Sequence, residues 1–114
     1  MRYNNGWVGV DLDGTLAIYN GWKGANHIGE PIEPMVQIVK QLIASGATVK
    51  IFTARVCSAQ PEEEINAAKE AIAEWTLKHI GKALEATAEK DWNMIEYYDD
   101  RAIKVLYNTG LIIK

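Results

Sequence analysis

The chain has a single cysteine, no long apolar run and no excess of basic charge, and each shortage removes a class of protein. Cys57 alone cannot close an internal disulfide, which suits a reducing compartment. No apolar stretch approaches the ~20 residues that span a bilayer. The opening MRYNNGW lacks the apolar core of a signal peptide. The expectation is a cytoplasmic protein with no membrane partner. With a formal net charge of −3, no global basic field draws the chain to nucleic acid or an anionic surface. There is no internal repeat and no low-complexity segment. What remains, 114 residues of which 48% are hydrophobic, is enough for one core and predicts a single domain over 1–114.

The hydrophobic period changes several times along that domain. GWVGVDL (6–12) reads as a short buried strand, and β-branched ATVKIFTA (47–54) as a second. Between them, 17–34 is rich in Gly, Asn and Pro with interspersed aromatics, a flap-like insertion long for a connection in a compact domain. EPMVQIVKQLIASG (33–46) puts Met35, Ile38, Val39, Leu42 and Ile43 at helical spacing, with Pro34 near the start and Gly46 past the end. SAQPEEEINAAKEAIAEWTLKHIG (58–81) predicts the longest helix. Its glutamates crowd the first turns, where the helix dipole favours negative charge, and Ile65, Ala68, Ile72, Trp75 and His79 form its inner stripe. ALEATAE (83–89) predicts a third strand, DWNMI a helical turn, IEYYDD (95–100) a fourth strand and AIKVLYN (102–108) a fifth. Strands alternating with helices imply an α/β fold of three layers, Rossmann-like, with a mainly parallel sheet of about five strands.

In such sheets ligands bind beyond the carboxyl ends of the strands. Asp11 and Asp13 end the first strand, Thr53 the second, Asp99 and Asp100 the fourth, and Lys90 follows the third. Four carboxylates on one edge repel each other, and a divalent cation resolves the conflict; hard oxygen donors point to Mg²⁺. Mg²⁺ keeps few protein carboxylates and fills its remaining positions with water and phosphate oxygens, which makes phosphoryl transfer the natural reaction class. Taken singly, each residue has a plain explanation: an Asp after a strand forms turns, and Thr53 caps a helix.

DLDGTL, FTAR, Lys90 and YYDDRA, in that order, resemble the four motifs of the haloacid dehalogenase superfamily of phosphohydrolases over nearly the whole chain. The resemblance implies a Mg²⁺-dependent phosphomonoesterase. Asp11 would be the nucleophile, forming an aspartyl-phosphate, and Asp13 the proton donor and acceptor. In this reading a cation keeps Asp11 ionised while Asp13, further from it, stays protonated. The cation would be held by the side chains of Asp11 and Asp99 and the backbone carbonyl of Asp13, with Asp100 acting from behind or through water. Thr53 and Lys90 would bind the transferring phosphoryl oxygens, Lys82 being the rival lysine. Gly14 permits the tight turn and, with Thr15, lies at the phosphate.

The spaces between motifs hold no cap domain, so the chain resembles the capless group, whose open sites take a bulky substrate or are closed by another subunit of a homo-oligomer. Trp22 and Lys23, with Tyr19, Asn26 and His27, are the flap's candidates for substrate contact, and Arg55 stands between substrate contact and a structural role. Arg101 is expected to pair with Asp99 or Asp100. Cys57 is expected to be inert, His79 to be a partly exposed face residue of its helix rather than a ligand, and Trp7 and Trp75 to lie in the core. The substrate class is a nucleotide, a sugar phosphate or a phosphorylated macromolecule. The alternatives are a non-catalytic phosphate-binding or regulatory module on the same fold, and a phospho-accepting receiver domain, which the early position of the Asp pair disfavours.

Overall fold

In the computed structural model, which describes residues 6–113, the first apolar run forms strand β1 (Trp7–Asp11), with Trp7 to Val10 buried. Val8 and Val10 turn towards the helices, and Gly9 and Asp11, two residues apart, turn to the opposite face. The β-branched second run forms β2 (Thr48–Phe52), parallel to β1 in a register that pairs Asp11 with Phe52. Helix α1 (Glu33–Ala44) carries the chain back between them, with Pro34 in its first turn and Val36, Val39 and Leu42 buried. Helix α2 (Glu62–Ile80) follows β2 after one 3₁₀ turn (Ala54–Val56). It ends on Gly81, whose φ of 97° is the left-handed conformation that closes a helix. Its buried stripe of Ala68, Ile72 and Trp75 is the one its sequence period predicts.

Strand β3 (Ala86–Thr87) adds outside β2, and β4 (Met94–Tyr98) adds to the other side of β1. The parallel sheet therefore has the order β3-β2-β1-β4. The steps β1-to-β2 and β2-to-β3 go the same way across the sheet, so right-handed crossovers lay α1 and α2 on one face, where they touch. The return from β3 to β4 carries no helix. Residues 88–93 pass the amino end of β1, where the Trp7 indole donates to Asp91 Oδ1 at 2.9 Å and the Trp7 N–H to the Asn93 carbonyl at 2.8 Å.

The expectation of three layers and five strands is corrected accordingly. Among the described residues the parallel sheet has four strands, and both long helices cover the same face. DWNMI forms a turn rather than a helical turn, because Asp91 Oδ1 accepts the Asn93 N–H and ends the run before β4 begins at Met94. Of the expected fifth strand only β5 (Lys104–Val105) is extended and paired. It runs antiparallel to β6 (Ile112–Ile113) in a hairpin separate from the sheet. Asn108 and Gly110, at φ of 61° and 75°, reverse the chain there, and no paired sheet strand receives it. Trp7 is buried as expected but on the face away from the helices, stacked on Phe52 at 6.4 Å.

The flap at 17–34 is pinched at its base. The Ile18 N–H donates to the Glu30 carbonyl and the Ile32 N–H to the Leu16 carbonyl, each at 2.8 Å. Gly29 passes so close that a Cβ there would overlap the Ile18 carbonyl oxygen. The Trp75 indole, from α2, donates to the Gly29 carbonyl at 3.0 Å and ties the flap to the helix layer. Among the described residues no helix is long and apolar enough to cross a membrane.

Candidate active site

The carboxyl edge of β1 and β4 brings three acids together. Asp11 ends β1; Asp99 and Asp100 follow β4, the neighbouring parallel strand. One carboxylate oxygen from each lies within 4.8 Å of the other two. Leu12, fully buried, anchors the chain between Asp11 and Asp13 in the core. The turn then closes with the Leu16 and Ala17 N–H groups on the Leu12 carbonyl, each at 2.9 Å. Gly14 sits in that turn at φ +90°, and a Cβ there would meet the Asp100 carboxylate at 3.1 Å.

Thr15 is buried beneath the acids. Its Oγ1 lies 3.1 Å from Asp11 Oδ2 and 3.0 Å from Asp100 Oδ1, and it accepts the Asp100 N–H at 3.0 Å. One hydroxyl proton serves only one of two carboxylates at a time. Asp99 is set by Tyr97, whose hydroxyl donates to Oδ1 at 2.9 Å, and by the Arg101 N–H on Oδ2 at 2.8 Å.

Burial is the main cause that pushes the Asp11 carboxyl up to about 7. A hydrogen bond shared with Asp100 and the charges of Asp99 and Asp100 add to it, and the Thr15 hydroxyl opposes it. The same bond from Asp11, with Thr15, holds Asp100 below the usual carboxylate range. The two titrate as a pair sharing one proton. Burial first, and then the bond to Asp99, raises the Tyr97 phenol.

Asp13 does not join this group. Arg55 grips it with two parallel bonds, Nε to Oδ2 at 2.8 Å and Nη2 to Oδ1 at 2.9 Å. Arg55 is buried and turns Nη1 to flap carbonyls, reaching His27 at 2.8 Å and Ala25 at 3.2 Å. Arg55 thus forms a strut that pins the flap to the Asp13 loop, and it also lines the cleft beside Asp11. The expected pairing of an ionised Asp11 with a protonated Asp13 presumes a bound cation; in the cation-free site the Asp11 carboxyl is raised, and both oxygens of Asp13 accept from the Arg55 guanidinium. For a cation, Asp13 retains its backbone carbonyl.

Thr53, buried, caps the 3₁₀ turn: its Oγ1 accepts the Arg55 N–H at 3.2 Å. It also lines a cleft of about 600 Å³ with Asp11, Asp13, Asp99 and, from the flap, Trp22. Lys90 lies outside this cleft, in an adjoining recess that shares Tyr97 and Asp99 with it. Lys82 follows the end of α2, which has returned the chain to the amino edge of the sheet, away from the acids. Lys23 opens onto a second hollow of about 270 Å³ within the flap, reached by Asp13 and Arg55 but not by Asp11.

Tyr97 is the residue that motif reading passes over. Its signal was present in YYDD, since residues two apart at a strand end project to one side, and Tyr97 stands two before Asp99. Arg101 meets Asp99 through its backbone N–H, and its side chain lines the cleft.

The three acids offer only oxygen donors at an accessible edge, a set that could hold a hard divalent ion. Burial is the main cause of the raised Asp11 carboxyl, and the charges of Asp99 and Asp100 that add to it are what such an ion would relieve. Comparison with protein families, curated proteins and solved structures gives no match in any of the three.

Proposed function

We propose that the chain is a Mg²⁺-dependent phosphomonoesterase on a haloacid dehalogenase-like fold, with Asp11 as its nucleophile. The observation that carries this reading is the meeting of Asp11 with Asp99 and Asp100, separated by almost the whole sequence, at the carboxyl edge of a parallel sheet. Asp11, Asp99 and the Asp13 carbonyl would hold the ion, with Asp100 behind. The bound ion supplies positive charge that keeps Asp11 ionised and offsets the charge of the phosphate.

A carboxylate oxygen of Asp11 attacks phosphorus and the ester P–O bond breaks. The leaving oxygen takes a proton from Asp13, which must first part from Arg55 and take up a proton from solvent, Arg55 staying on the flap carbonyls. Asp13, now a carboxylate, then takes a proton from water. The resulting hydroxide attacks phosphorus, the Asp11–phosphorus ester bond breaks, and inorganic phosphate leaves. The Thr53 hydroxyl faces the phosphoryl group and donates to its developing charge, while Lys90, in the adjoining recess, has no part in the step.

The test is hydrolysis of an aryl phosphate by the purified protein. Turnover is expected with Mg²⁺, is lost on chelation, and falls by at least three orders of magnitude in Asp11→Asn. An Asp11→Asn protein that retains wild-type turnover overturns the assignment. So does a wild-type protein inert towards small phosphate esters with Mg²⁺ present.

A further inference from the structure

The cleft above the acids has a second end, and its chemistry is unlike the first. Trp22, on the flap, remains 56% exposed although its indole is held in place: the Arg55 guanidinium carbon sits 5.0 Å from the ring centroid. Arg55 is itself fixed by Asp13 and the flap carbonyls, so the indole rests on an anchored cation. Its exposed surface lines the same cleft as Asp11. Gln60 and Glu64, at the start of α2, line that cleft too, and their side chains make no hydrogen bond among the described residues. An amide and a carboxylate together offer both acceptors and donors. The rings of Phe52 and Tyr97, packed at 5.1 Å, also line the cleft.

We infer that this cleft takes a nucleoside monophosphate, with the phosphate at Asp11 and the base stacked on Trp22, its edge turned to Gln60 and Glu64. The inference rests on the phosphatase reading and names its substrate class. An aromatic shelf held rigid by a buried cation suits a planar partner, and stacking on such a ring is tolerant of base identity. A cleft of about 600 Å³ lies within the range that encloses a ligand of this size. Charge selects the free mononucleotide over the end of a polynucleotide. Among the described residues, Arg101 is the one cation lining the cleft apart from the engaged Arg55, and the chain carries a net charge of −3. A polyanion gains its affinity from many basic contacts, which this surface lacks.

Binding, measured by calorimetry on the full-length wild-type protein with chelator in place of Mg²⁺, so that no ester turns over and no ion ligand is altered, separates this inference from the catalytic one. Nucleoside monophosphates are expected to bind at least tenfold more tightly than ribose 5-phosphate or glucose 6-phosphate. Adding Trp22→Ala should bring that ratio close to one, while Trp22→Phe keeps most of it. Trp22 is exposed, so its replacement leaves the core intact. Equal affinity for the sugar phosphates, or a ratio unchanged by Trp22→Ala, overturns the inference even where wild-type protein hydrolyses aryl phosphate. Tighter binding of a phosphorylated oligonucleotide than of the mononucleotide overturns it in favour of a nucleic-acid end. Loss of aryl phosphatase activity in the wild type, by contrast, removes the catalytic reading alone.

Discussion

A guanidinium is among the costliest groups to bury, and Arg55 is buried at the foot of a loop with few other fixed points. Its position is tolerable because Asp13 meets it with two parallel bonds and backbone carbonyls of the flap take Nη1. Removing one member of such a pair strands the other, which costs far more than the pair itself contributes. Arg55→Ala should therefore destabilise the protein by about 3 kcal/mol, the low end for a broken buried pair, because the Asp13 side chain retains 22% exposure. Arg55→Lys keeps the charge but loses the fork, and should fall between. Urea unfolding of the two variants checks the order. A cost below ~1 kcal/mol for Arg55→Ala would mean that the flap is held by something else.

The flap illustrates at the scale of an element what a single close approach can control. Its neck brings the Gly29 backbone against the Ile18 carbonyl, and the Trp75 indole bonds to the carbonyl of that same glycine. Gly29→Ala forces a Cβ into backbone, so the neck must open, at a cost of about 1–3 kcal/mol. Faster amide exchange should appear at Ile18 and Ile32, whose N–H groups close the neck, while amides of β1 and β2 stay protected. Equal protection at the neck in both proteins would count against this. The same contrast between periodic and aperiodic chain explains what was legible beforehand. β1, β2, α1 and α2 could be read because burial imposes a period on their residues, and the rule that ligands gather at carboxyl edges then placed Asp11, Thr53, Asp99 and Asp100. β3 contributes only Ala86–Thr87 to the sheet, and the 104–113 segment pairs with itself, outcomes decided by turns rather than by pattern. The Asp13–Arg55 bond spans 42 positions and depends on how an aperiodic flap folds, so no local signal announced it. Lys90 was placed after the correct strand, yet the helix-free return past Trp7 carries it into the neighbouring recess.

For the molecule as a whole, the acid group couples folding to protons and, on the function proposed, would couple it to a cation as well. In the unfolded chain Asp11 gives up its proton near 3.8, whereas in the folded, cation-free protein it holds it until about 7. Folding therefore takes up a proton between those values, and the stabilisation from Asp11 is complete below about 4 and lost as pH rises through about 7. Asp100, held low, works in the opposite sense at the acid end: its contribution is present above 3.8 and disappears as pH falls through its depressed folded value. The cation-free protein should consequently lose stability between pH 4 and pH 7. A divalent ion held as proposed would reverse that trend, because it would bind the ionised form of Asp11 that high pH supplies and compete with the proton at low pH. At a free ion concentration a hundredfold above Kd, the added stability is about 2.7 kcal/mol. Thermal melts with Mg²⁺ and with chelator, at about one pH unit on either side of the Asp11 value, measure the effect. The rise in Tm caused by Mg²⁺ should be several degrees on the alkaline side and much smaller on the acid side. In Asp11→Asn the chelated protein should show a flatter dependence on pH over that window, since the group that takes up the proton is gone. A Mg²⁺ effect equal at both pH values, or unchanged in the variant, would place the ion away from Asp11 and separate the acid group from the function proposed for it.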